Sequence, residues 1–237
     1  MAKRVGKRGD TLIEVMLAVG IFSMVAVAVV AVMSGGTSSA QTALETTLAR
    51  EEIDAQAEAL RFIQSSYIAE KDNEAGKFSV LWKAITQMAH NNESPEDQFN
   101  DNFTNYSPST CDELYSATGE AKNYGFAIDT RKLGTFTSTG EVVISGSKLG
   151  PASTYPRLIY NDGGSLANTT EGKVLQSVQG IYIIAVKDPN STTIAGVDNK
   201  SAYYDFYIRT CWYGTGDQTP STISTVMRLY DPGVIKK

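Results

Sequence analysis

The chain has 237 residues, 42% hydrophobic and 20% charged, with a formal charge of −5. That length accommodates one ordinary domain plus an additional segment, and the acidic balance leaves no strong nucleic-acid signal. One histidine and two cysteines, with no CxxC, argue against a His-based metal centre, a zinc knuckle or a thioredoxin-like redox site.

The charge is unevenly placed. Lys3, Arg4, Lys7 and Arg8 precede Gly9, and no acid precedes Asp10. Without these four cations, 17 basic side chains would face 26 acidic ones, a formal −9. Residues 15–33, VMLAVGIFSMVAVAVVAVM, then run nineteen positions without a charge. As a helix this stretch is roughly 28 Å long, close to the ~30 Å hydrocarbon core of a bilayer. The basic leader predicts a cytoplasmic N-terminus, with everything after Met33 exported. A cleavable secretory signal would have a shorter apolar core followed by a small-residue site, which residues 34–40 match only loosely.

Helical periodicity continues beyond the apolar run, over residues 37–69. Leu44, Leu48, Ala55, Ala59, Ile63 and Tyr67 form the expected packing stripe, and Gly35-Gly36 is the expected bend. The reading is one long helix that leaves the membrane and becomes amphipathic.

The stretch GDTLIEV, from Gly9 to Val15, resembles the processing site of type IV prepilins and the related pseudopilins. Gly9 matches the residue before the cut, and Thr11, Leu12, Ile13 and Glu14 match the block after it. Glu14 would be the fifth residue of the mature chain. The departure is Asp10, where the family usually has phenylalanine. The resemblance covers about the first quarter of the chain. It implies cleavage after Gly9 by a prepilin peptidase, N-methylation at Asp10, and assembly through Asp10 and Glu14. The new amine at Asp10 of one subunit would neutralise the Glu14 carboxylate of a neighbour. The bland alternative is that Glu14 snorkels to the lipid headgroups.

Past a charged connector at 70–77, Phe78, Leu81, Trp82, Ile85 and Met88 share one face of a second helix, with His90 at its end. Residues 91–110 read as a polar loop. Asp97, Asn100 and Asp101 there lack the EF-hand spacing, and the N-x-S/T triplets at Asn92, Asn102, Asn105, Asn168 and Asn190 are weak glycosylation signals. The remainder is strand-rich: NYGFAID, EVVIS, RLIY, VLQSVQGIYIIAVK, AYYDFYIRTCWY and TISTVMRLY. In AYYDFYIRTCWY, Tyr204, Phe206, Ile208 and Trp212 share one face, and Tyr203, Asp205, Tyr207, Arg209 and Cys211 the other. Short connections favour an antiparallel sheet. Export allows Cys111 and Cys211 to pair as a disulfide; two separate buried thiols are the alternative. No GxSxG, Walker A, HExxH or dinucleotide-binding pattern occurs.

The expected fold is α+β: a long N-terminal helix packed on a C-terminal antiparallel sheet. The expected divisions are a leader at 1–9, a transmembrane helix at 10–33, its exported half at 34–70 and a globular part at 71–237. The resemblance implies a pilin, not an enzyme, with no cofactor and no catalytic or metal site. It would be a single-pass precursor in the cytoplasmic membrane and then part of an extracellular filament. Its partners would be the peptidase, an inner-membrane assembly platform, membrane lipid, other pilins and copies of itself. The alternatives are a minor pilin or pseudopilin of a secretion or DNA-uptake machine, and a membrane-tethered adhesin.

Overall fold

A computed structural model describes residues 10–70, 73, 75–91, 108–152, 157–159, 177–187, 202–214 and 217–231. Helix α1 spans Asp10–Ala69. The chain divides into two compact units, Met1–Leu44 and Glu45–Lys237. The fold is α+β, as its pattern predicts.

In the first unit every described side chain from Leu12 to Leu44 is exposed. Helical hydrogen bonding continues through Gly35 and Gly36. Two polar residues within or just beyond the apolar run bond to their own helix. The Ser23 hydroxyl donates to the Val19 carbonyl at 2.7 Å, and Thr37 to Ser34 at 2.9 Å.

In the second unit α1 contributes Ala49, Ile53, Ala57, Leu60, Ile63 and Tyr67 to the buried interior, together with Glu45 and Gln56. The buried face therefore recurs at 45, 49, 53, 56, 60, 63 and 67. The stripe expected from apolar residues alone is corrected at its start: Leu44 and Ala55 are exposed and Leu48 is half-buried. The phase is set by two polar residues that apolar spacing cannot count. Helix α2 (Lys77–Gln87) buries Leu81, Trp82 and Ile85, as its spacing predicts, and ends before His90.

The strands are β1 (His90–Asn91), β2 (Gly125–Ile128), β3 (Val143–Ser145), β4 (Leu149–Gly150), β5 (Arg157–Ile159), β6 (Ser177–Gln179), β7 (Ile181–Lys187), β8 (Ala202–Trp212) and β9 (Ser221–Asp231). The main sheet has the order β3-β2-β7-β8-β9, all antiparallel, with the two-residue β1 parallel to β7. A small second sheet, β4-β6-β5, has one parallel and one antiparallel pair. Gly180, at φ 76°, separates β6 from β7. That left-handed conformation favours glycine, and it lets the Gly180 carbonyl accept from Cys211 N–H at 2.9 Å.

The alternation along β8 sorts the two faces. Tyr204, Phe206, Ile208 and Trp212 are buried, and Trp82 of α2 packs on Tyr204 and Phe206. Tyr67 of α1 stacks on Trp82 at 5.7 Å. The helices therefore cover this inner face. At roughly 1.5–3 kcal/mol per fully buried large apolar side chain, this layer is the main stabilising element of the unit.

Candidate functional site

Two features stand apart from the core. The first is the exposed helix surface of the first unit. From Leu12 to Met33 the large apolar side chains all stand in the open, among them Phe22, Met24 and Val32, each more than 70% exposed. The helix is long and apolar enough to cross a membrane. Monomeric soluble proteins rarely expose contiguous apolar surface on this scale, so this surface needs lipid or other protein against it. Glu14 is exposed within it, in the second turn of α1. Gly9 lies outside the described residues. Asp10 is the first residue of α1, and its side chain also lies outside them.

The second feature is a cap on the outer face of the sheet. Tyr182, Arg209 and Cys211 point to the side opposite the helices, and all three are buried there. The one-turn helices Cys111–Tyr115 and Glu120–Tyr124 cover them. Cys111 and Cys211 form a disulfide with Cα atoms 5.5 Å apart, closing a separation of 100 residues. Tyr213 Oη accepts from Cys111 N–H at 3.2 Å, and Thr110 caps the first one-turn helix by accepting from Glu113 N–H at 3.3 Å. The Tyr115 ring meets Tyr182 edge-on at 5.8 Å. Glu120 Oε1 accepts from both Tyr182 Oη and Arg209 Nη1, each at 2.6 Å.

Arg209 is 1% exposed, so Glu120 compensates a charge that would otherwise be costly to bury. Gly119 permits the tight path between the two one-turn helices. A Cβ there would collide with the backbone carbonyls of Glu113 and Leu114.

Sequence alternation placed Arg209 and Cys211 on the outer face but not their burial. Glu120 and Tyr182 were missed. The available signal was Arg209 itself, a cation in an otherwise apolar half of a strand, which demands a counter-ion when buried. Residues 92–107 of the polar loop, with its calcium candidates Asp97, Asn100 and Asp101, lie outside the described residues, as do all five N-x-S/T triplets. Among the described residues no group of three His, Cys, Asp or Glu side chains is placed to hold a metal.

No family model, curated protein or solved structure matches this chain.

Proposed function

We propose that this chain is a type IV pilin: a subunit made as a membrane precursor, cut after Gly9, and polymerised through its N-terminal helix into a surface filament. The observation that carries the reading is the uncovered apolar length of α1 with one carboxylate, Glu14, near its start. A bundle of such helices covers the apolar surface, as lipid does in the precursor. A carboxylate in that setting is expensive on its own, by about 2.5–3.5 kcal/mol at a bilayer centre. Removal of the leader supplies the compensating charge, a new α-amino group at Asp10. The amine of one subunit pairs with Glu14 of the next, and this fixes one register among many in an apolar bundle. A prepilin peptidase and an inner-membrane assembly platform are the partners this route requires. A simple membrane tether for an adhesin needs neither cut nor polymer.

Two substitutions test the route in sequence. Gly9→Val blocks a peptidase that needs close backbone approach, so an uncut precursor about nine residues heavier accumulates in the membrane. Glu14→Leu keeps helix propensity and raises apolarity, so insertion and cutting persist. Filaments sheared from the surface fall well below wild type at equal subunit level, because breaking one side of a buried ion pair costs about 3–5 kcal/mol. Asp10, whose own carboxylate adjoins the same amine, supports a residual yield. Normal trimming of the Gly9 variant, or a wild-type filament yield from the Glu14 variant, rejects the reading.

A further inference from the structure

Strand β9 ends one side of the main sheet, and among the described residues no strand lies beyond it. It is 11 residues long and pairs with β8 in one unbroken register, from Ala202↔Asp231 to Trp212↔Ser221. Edges of that length are ordinarily blunted by a bulge, a proline or several charges. This one has no bulge and no proline. Its charges, Arg228 and Asp231, sit in its last four residues, where Arg228 is held by Asp205 through two bonds of 2.7 Å and Asp231 accepts from Tyr67 and Trp82. The stretch from Ser221 to Met227 is uncharged.

One hydrogen bond and the strand register fix which way the β9 backbone points. Cys211 N–H donates to Gly180 on the β7 side. Its neighbour Thr210 therefore bonds toward β9, where it faces Ile223. The same alternation turns the Tyr230 carbonyl outward, where it accepts from Gln64 Nε2 at 2.9 Å. Ile223, Thr225, Met227 and Leu229 bond to β8, and Thr222, Ser224 and Val226 turn their N–H and C=O groups outward. Ser224 is exposed and Val226 is 54% exposed.

We infer that this edge pairs with β9 of a second copy of the chain, antiparallel about a dyad at Ser224. Ser224 then faces its own counterpart, and Thr222 faces the second copy's Val226 on either side. Each such pair exchanges two backbone hydrogen bonds. The strand is self-complementary in this register. Two β-branched pairs flank a small polar one, and the two Arg228 side chains lie farther apart than a dyad at Val226 would put them. The ladder ends where the chain ends it: Pro220 has no N–H to give, and Gln64 already occupies the Tyr230 carbonyl. A twofold contact closes on itself, so it joins two chains and stops. It needs neither leader cutting nor polymerisation, and so stands or falls apart from the pilin reading. Where subunits run parallel in one filament, it joins subunits of neighbouring filaments.

The test uses the full chain in detergent micelles with a short bismaleimide. Ser224→Cys gives cross-linked dimer roughly fivefold above the exposed helix control Asp54→Cys, the scale set by favourable cross-strand pairing. An equimolar mixture of Thr222→Cys and Val226→Cys chains cross-links as heterodimer in preference to either homodimer. Val226→Pro, added to Ser224→Cys, removes only an outward N–H, which edge strands tolerate, and lowers the yield roughly fivefold while the native disulfide and melting temperature persist. A Ser224→Cys yield no higher than the control overturns the inference, as does a mixture that forms homodimers as readily as heterodimers. If Val226→Pro does not fold, the mixture decides alone.

Discussion

Gln56 directs both ends of its carboxamide at one backbone position. Its Nε2 donates to the Ile128 carbonyl at 3.0 Å, and its Oε1 accepts from Ile128 N–H at 2.8 Å. Ile128 ends β2, beyond the last pairing of that strand with β7, so one side chain takes the place of a neighbouring strand. Gln56→Met keeps the volume and strands two buried backbone groups. The expected cost is about 2–4 kcal/mol, read as a lower denaturant midpoint at unchanged slope. Glu52, one turn earlier, is perturbed in a different way. Partial burial, and then the neighbouring Glu51 carboxylate, raise its pKa. The folded state thus holds the Glu52 proton more tightly than the unfolded chain. Its contribution to stability is lost as pH rises through the ordinary carboxylate range toward the raised value. Glu52→Gln therefore stabilises at pH 7, by about a few tenths of a kcal/mol for a half-buried group still screened by solvent. The gain disappears below about pH 4, where both states are protonated. Thermal melts at the two pH values check it.

At the scale of elements, the outer cap is held at two points, the disulfide and the Glu120–Arg209–Tyr182 cluster. Replacing both cysteines by serine is expected to cost about 2–4 kcal/mol, with the cap still docked through Glu120. Replacing Glu120 by alanine in that background removes the second point and takes from the buried Arg209 guanidinium the carboxylate it meets at 2.6 Å. Hydrogen exchange across residues 111–124 then rises sharply in the combined variant and modestly in either change alone, because the two points share one segment and are not additive. The same contrast explains what the sequence made legible. The long helix and the faces of β8 follow from local periodicity, the apolar run and the alternation Tyr204, Phe206, Ile208. The cap follows from a contact between Glu120 and Arg209, 89 positions apart, which no local pattern announces. The true phase of α1 was hidden for a related reason: Gln56 and Glu45 are buried because of distant partners, Ile128 and Trp212.

At the scale of the molecule, strand β9 fastens to both helices, α1 and α2. Tyr67 Oη and Trp82 Nε1 both donate to Asp231, at 3.0 and 2.9 Å, across 164 and 149 positions, and Gln64 reaches Tyr230 across 166. Every one of these closures needs Tyr230 or Asp231, at the end of the β8–β9 pairing. Contacts of such separation carry a loop-closure cost before they return any stabilisation, and they slow folding. The second unit therefore cannot complete its core before Asp231 has been made. Its N-terminal helix is available long before the strand that pins it. Until β9 is made, the unit lacks the strand that pins its helix, and an incompletely folded chain is one that can be threaded through a narrow channel. Folding of the unit is then timed by β9: a ribosome-stalled chain ending before Ser221 remains protease-sensitive, and protection appears in one step once Asp231 is free.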